Sequence, residues 1–481
     1  MAGKREYMRR KNTWKIRQWG CLMLAAVLLA GCGNGEGTIP YGELPYENTR
    51  GTAAPETDDM QDQPGDAGMK DGQVQPGDAE MKDGQVQSGD AGMKDGQVQP
   101  GDAGVEEGQV QSGDAGIKDG PDSADALDTI DESGASADEK ESLEPEITLV
   151  MVGDILLHTP VAESGKTETG YDFRAVFANM KEQIEEADLA LVNQEVILGG
   201  EALGVSGYPT FNAPFELGDA LADTGFDVVL HATNHALDKG KNGILNSISF
   251  WEENHPEIAV LGIHDSQEGQ QEIYVYEQEG IRIAILNYTY GTNGIPLPAD
   301  MPYAVDMLER ERVISDLKRA EEMADFTIVC PHWGTEYVLE ATREQENWAA
   351  LFAENGADLI LGTHPHVIEP VVSLEEGALV YYSLGNFVNW TASSGEGIAN
   401  RMVGGMARVT IGVDEEGETV IRSYDVEPLI CHVESGFGGV TVYPLSEYTE
   451  ELAERNEIIK QDGNFSLEYC RKLVKDVFGE E

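Results

Sequence analysis

Cationic side chains are scarce in this chain: 32 Lys and Arg stand against 88 Asp and Glu over 481 residues, a formal net charge of -56. Nucleic-acid binding needs clustered Lys and Arg to neutralise phosphates, so nucleic acid is excluded as a partner. Cysteine is sparse as well, at five. If Cys21 and Cys32 belong to a leader, as argued below, Cys330, Cys431 and Cys470 remain, too few for a disulfide framework; one pair and three buried thiols both stay open. No apolar run reaches the roughly 20 residues of a membrane-spanning helix. No Walker loop or dinucleotide fingerprint is present, and Ser383 follows Tyr381-Tyr382 rather than sitting in Gly-x-Ser-x-Gly.

The charge that is present changes sign along the chain. Residues 1–32 hold seven basic side chains and one acidic, residues 33–146 hold 29 acidic and six basic, and residues 147–481 hold 58 acidic and 19 basic. The basic leader precedes an apolar run at 21–30 and ends in Leu29-Ala30-Gly31-Cys32. That layout is a secretory signal. The last four residues resemble the bacterial lipobox, which implies cleavage before Cys32, lipidation of Cys32, and a membrane anchor on the extracytoplasmic face of the cell.

Residues 63–120 repeat with period twelve, in copies starting at Gln63, Gln75, Gln87, Gln99 and Gln111. Each copy offers at most two large apolar side chains, drawn from Val, Met and Ile, among Gly, Asp and Pro or Ser, too little apolar surface to offset chain entropy. The segment 33–145 is therefore expected to be a disordered acidic tether, with a typical reach of about 55 to 65 Å.

From residue 147 the texture alternates between short β-rich runs and helical patterns, the signature of an α/β layered fold. The runs lie at 147–152, 188–192, 226–232, 258–263, 281–288, 326–330, 358–361 and 378–382, with helical stretches at 173–187, 307–324 and 343–355. The folded domain is expected over 146–440, followed by a helical extension over 441–481. Polar clusters follow six of the runs: Gly153-Asp154, Asn193-Gln194-Glu195, Asn234-His235, His332 through Glu336, His364-Pro365-His366, and Ser383-Leu384-Gly385-Asn386. In open α/β sheets the carboxyl ends of strands line the ligand crevice, so these clusters are expected to converge. Imidazole and carboxylate gathered in this way suit a divalent metal, with Zn, Mn and Fe all compatible.

Taken in order, Gly-Asp-Ile, Asn-x-Glu, Asn-His-x-x-Asp-x-Gly, His-Trp-Gly-x-Glu-Tyr, Gly-x-His-Pro-His-Val and Ser-Leu-Gly-Asn-Phe resemble the CapA family of capsule, or poly-γ-glutamate, synthesis proteins. That family looks like a branch of the calcineurin-like metallophosphatases. The resemblance implies a four-layer sandwich of two packed sheets flanked by helices, one or two divalent metal ions, and an anionic polymer or a polymer-synthesis membrane complex as partner. It implies that Asp154 ligates one metal, that Glu195 bridges both, and that Asn234, His332, His364 and His366 are further ligands. His235 takes the place of the general acid or transition-state stabiliser, with Asp238 supporting it. Phosphatases carry a His where this chain has Leu156, and His158 is the possible replacement ligand. Glu336 and Asn386 are expected behind the ligands or against substrate, and Trp333 and Tyr337 are expected to pack on the site. Three functions follow: a metal-dependent hydrolase or transferase acting on the polymer, a non-catalytic accessory subunit, or an extracytoplasmic metallophosphoesterase. For the accessory role, Arg174, Arg282, Arg401 and Arg408 are candidate anion contacts. Loops at 201–214 and 290–303 are the places to look for selectivity.

Overall fold

The computed structural model describes residues 145–479, apart from 392, 435, 437 and 438. The leader, Cys32, the twelve-residue repeat and the tether lie outside the described residues.

Strand β1 (Glu146–Leu156) is buried on both faces, which explains the consecutive apolar residues Leu149, Val150, Met151 and Val152. Ile147, Leu149 and Met151 point to a second sheet, while Val150 and Val152 point to a helical layer. Strands β2 (Leu189–Asn193), β3 (Val228–Leu230) and β4 (Ala259–Leu261) follow in parallel order. Helices Phe215–Thr224 and Gly240–Asn254 make the crossovers between them.

The chain then builds the second sheet. β5 (Tyr274–Gln278) pairs antiparallel with β6 (Ile281–Thr289), and β7 (Phe326–His332) and β8 (Leu359–Leu361) continue parallel to β6. β9 (Ile368–Ser373) closes the edge antiparallel to β10 (Leu379–Leu384), which itself runs parallel to β8. Finally the chain returns to the first sheet. β11 (Asn386–Asn389) pairs in parallel with the end of β1, and β12 (Val403–Val413), β13 (Thr419–Val433) and β14 (Val440–Pro444) extend that sheet antiparallel.

Between the sheets lie Leu191, Ile283, Ile328, Leu359 and Leu379. Helical residues Phe177, Leu217 and Leu221 cover the outer face of the first sheet, and Val313, Leu317 and Phe352 that of the second. The order helix, sheet, sheet, helix is the expected four-layer α/β sandwich. Helix Arg310–Met323 shows why: Val313, Leu317 and Ala320 recur at helical spacing and are its buried residues.

The helical stretch expected at 173–187 is divided into Arg174–Phe177 and Lys181–Glu185. Asn179, between them, donates its side-chain amide to Val442 O (3.0 Å) and ties the break to β14. The boundary expected at 440/441 falls inside β14, and Leu467, Cys470 and Leu473 of helix Leu467–Phe478 join the same core as the helices on the first sheet. Cys330, Cys431 and Cys470 are three buried free thiols rather than a pair plus one.

Candidate metal centre

The parallel strands end at one edge, and a close backbone approach sets their spacing there. A Cβ at Gly153 would sit 1.9 Å from Gly385 O, so only glycine allows β1 to pass this close. Asp154 N donates to that same carbonyl (2.9 Å), while Gly385 adopts φ +63°, a left-handed conformation suited to glycine. The result places Asn386 in register with Asp154.

Asp154 is fully buried. Its Oδ1 accepts from Asn193 Nδ2 (2.8 Å) and its Oδ2 from His364 N (3.2 Å), with His366 Nδ1 3.2 Å from Oδ2. Glu195 is also fully buried, yet neither carboxylate oxygen has a hydrogen-bond partner. His332 Nε2 lies 3.8 Å and His235 Nε2 4.0 Å from Oε1, and His366 Nδ1 lies 3.7 Å from Oε2. Ligand atoms of Glu195, His332 and His364 fall within 4.8 Å of one another, and so do those of Asp154, Glu195 and His366. Glu195 belongs to both groups.

Burial holds the Glu195 carboxyl well above the usual range, with Asp154 adding to the effect against His366. An ionised carboxylate without partners is expensive in a protein interior, and a cation between these two groups would satisfy it. The donor set therefore fits a divalent metal. The imidazoles are suited to the same end: burial, then neighbouring histidines, keep His332 and His364 well below their ordinary values and hence neutral, the ligating form. Burial opposes charge on His366 too, but Glu195 and Asp154 outweigh it and raise its pKa to about 9. His364 (φ 102°) and His366 (φ 59°) hold left-handed backbone conformations that non-glycine residues seldom adopt, and strain of this kind gathers at functional sites.

Around these donors sits a layer of orienting contacts. His332 Nδ1 lies 3.0 Å from Thr363 Oγ1 and its Nε2 3.1 Å from Asn234 Oδ1. His235 Nδ1 lies 2.7 Å from Asp238 Oδ2, which also accepts from Phe211 N (2.6 Å). That pairing aims His235 Nε2 toward Glu195. Asn386 Oδ1 lies 3.2 Å from His366 Nδ1, and its Nδ2 donates to His366 O (2.9 Å).

Asp154, Glu195, Asn234, His235, His332, His364 and His366 thus meet at one edge. His158 joins neither donor group. It is the residue before helix Thr159–Ser164, its ring is 5.0 Å from Phe211, and burial, then His366, His235 and Arg401, lower its pKa to about 3. Glu336 is exposed on the rim. Trp333 packs away from the donors, on Phe352 and Tyr382, whereas Tyr337 is 44% exposed with its ring 5.9 Å from His366. Thr363, Asn293 and Phe211 carry orienting contacts that motif spacing does not single out, while Asn193, the first residue of Asn-x-Glu, orients Asp154. Asn293 Nδ2 lies 3.3 Å from His235 Nδ1, and Phe211 packs edge-on against that ring (4.6 Å). Both come from the Gly- and Pro-rich loops marked for selectivity, which is the signal that would have found them.

The family described as bacterial capsule synthesis protein PGA_cap matches residues 148–391. The PGA biosynthesis protein CapA of Bacillus subtilis is 32% identical over 175 residues, covering 36% of this chain and 45% of that protein. The capsule biosynthesis protein CapA of Bacillus anthracis is 28% identical over 257 residues, covering 51% of this chain and 61% of that protein. The chain therefore spans about half the length of these relatives. Among solved structures, a phosphatase from Mycoplasma pneumoniae aligns at TM-score 0.39 and 15% identity, over 60% of this chain and 95% of its own. A 5′-nucleotidase precursor from Thermus thermophilus aligns at TM-score 0.34 and 16% identity, over 59% and 54%. Likeness at this level is distant and assigns no residue a role.

Proposed function

The chain belongs to the bacterial capsule synthesis proteins of the PGA_cap family, and from that premise we propose that it is a lipid-anchored, extracytoplasmic member that acts on an anionic capsule polymer of the poly-γ-glutamate type through a metal-dependent hydrolase or transferase site. One observation carries the reading: the fully buried Glu195 has two unpartnered carboxylate oxygens and is shared by two groups of potential ligands.

Asp154, Glu195 and His366 would hold one ion, and Glu195, His332 and His364 another, with Asn234 Oδ1 adjoining the second group through its contact to His332. A bound divalent metal supplies a nucleophilic hydroxide at neutral pH and stabilises charge on the attacked centre. The chain's own residues do the rest. Asp238 fixes the His235 ring at Nδ1, leaving Nε2 facing the cluster as the atom that gives a proton to the leaving group. Asn193 and Thr363 keep Asp154 and His332 from rotating out of line. Cys32, if lipidated, would hold this centre at the membrane on the acidic linker, next to a polymer-synthesis complex.

Metal analysis of the purified chain after equilibration with Mn, Zn or Fe is the test. One or two ions per chain are expected, lost in the double variant His364→Ala, His366→Ala, together with cleavage or transfer of γ-glutamyl polymer. A wild-type chain that retains none of the three metals would sink the reading. A metal-free variant that still restores polymer to a capsule-deficient strain would assign the accessory role instead.

A further inference from the structure

The folded region is strongly acidic, so a cation without a carboxylate beside a functional site stands out. Of the four candidate arginines, Arg174 is held by Asp172 (2.6 Å), Arg282 by both oxygens of Asp325 (3.0 and 2.8 Å), and Arg408 by Gln183 (2.6 Å). Arg408, held by an amide, shares the lack of a carboxylate, but Arg401 alone of the four adjoins the histidines. Among the described residues no carboxylate pairs with it, and its Nε is buried without a hydrogen-bond partner. Its guanidinium instead lies over Tyr337, with Cζ 3.5 Å from the ring centroid.

Two contacts fix this pair against the metal-centre histidines. Tyr337 N donates to Pro365 O (2.8 Å), between His364 and His366. Asn386 Nδ2, which donates to His366 O, also donates to Arg401 O (3.0 Å), so a single amide holds both residues. A guanidinium stacked on an aromatic face keeps its edge free for two-pronged binding of carboxylate or phosphate. The rim itself has the character of a ligand surface. Six large hydrophobic side chains are exposed in the described residues, and three are tyrosines here: Tyr337, Tyr290 against His364 (4.7 Å), and Tyr208 against Phe211 (6.4 Å).

We propose that Arg401, stacked on Tyr337, is a specificity residue that binds an anionic group, a carboxylate or a phosphate, of the molecule whose reacting bond reaches the Glu195 cluster. The inference rests on the reading of that cluster as a substrate-processing centre, and its test separates the two. Calorimetric titration of the full chain with a γ-glutamyl oligomer and, separately, with inorganic phosphate would compare wild type, Arg401→Gln and Arg401→Lys. Arg401→Gln is expected to weaken binding by about tenfold to a hundredfold, the range for a hydrogen bond to a charged group. Arg401→Lys keeps the charge but loses the fork, so it should fall between; it also serves if the Gln variant misfolds, as thermal melting would show. Metal content of both variants should equal that of wild type. Selective loss of oligomer binding identifies a carboxylate as the anion. Selective loss of phosphate binding keeps Arg401 in its role and overturns the polymer reading. Equal affinities of wild type and Arg401→Gln for both probes overturn the role of Arg401 and leave the polymer reading standing, and a wild type that binds neither probe overturns the proposal outright.

Discussion

At the scale of single residues, Glu195 holds two properties in opposition. It is fully buried without a hydrogen-bond partner, and it belongs to both groups of potential metal ligands. Glu195→Gln keeps the shape and removes the carboxylate offered to an ion. Metal-free Glu195→Gln is expected to be at least as stable as wild type, since burial disfavours an ionised carboxyl at this position. It should also lose any rise in melting temperature that Mn or Zn would give the wild type. Thermal denaturation with and without metal checks both, and a variant still stabilised by metal like wild type would show that Glu195 is not a shared ligand. Sequence placed this carboxylate at a strand end, and Asp154, His332 and His364 likewise. What sequence could not supply is satisfaction: that Asp154 accepts two hydrogen bonds while Glu195 accepts none depends on how Asn193 and the His364 backbone are aimed across strands.

At the scale of elements, helix Arg343–Glu354 begins with a reciprocal cap between Thr342 and Gln345, and Gln345 then reaches across to β9, donating to Glu369 Oε2 (2.6 Å). Burial raises the Glu369 pKa to about 8, against the smaller opposing pull of Gln345. A carboxyl raised on folding favours the folded state fully below its ordinary value of 4.5, and this contribution is lost as pH climbs through about 8. Wild type should therefore lose stability relative to Glu369→Gln between pH 5 and pH 9, by on the order of a few kcal/mol, in urea denaturation at the two values. A constant difference would contradict the assignment. The same region shows which elements were legible. Central strands such as β1, β6 and β7 are buried on both faces and announce themselves as apolar runs. β9 carries Glu369 and Pro370, β5 is an edge strand with partly exposed residues, and β12 opens on Val403-Gly404-Gly405; their strand character comes from their partners, not from their own composition.

At the scale of the molecule, the candidate ligand residues come from both sheets: Asp154 lies near the end of β1 and Glu195 follows β2, while His332 ends β7 and His364 and His366 follow β8. An ion held among them would link the two halves of the sandwich. Saturating metal, at about a hundredfold over its dissociation constant, should add about 2.7 kcal/mol to global stability. Chelator treatment is then expected to lower the melting temperature of the wild type by several degrees and leave His364→Ala, His366→Ala unmoved; equal responses would mean that the ion sits elsewhere.

The parallel pairing of β11 with the end of β1 also has a consequence in time. Asn386 cannot dock beside Asp154 until every strand of the second sheet has been synthesised, and such late, non-local pairing is among the slow steps of folding. A half-made chain offers Asp154 and Glu195 without any of the three histidines that complete the donor set. An ion that needs the full donor set would therefore be captured only after the histidines of the second sheet are in place.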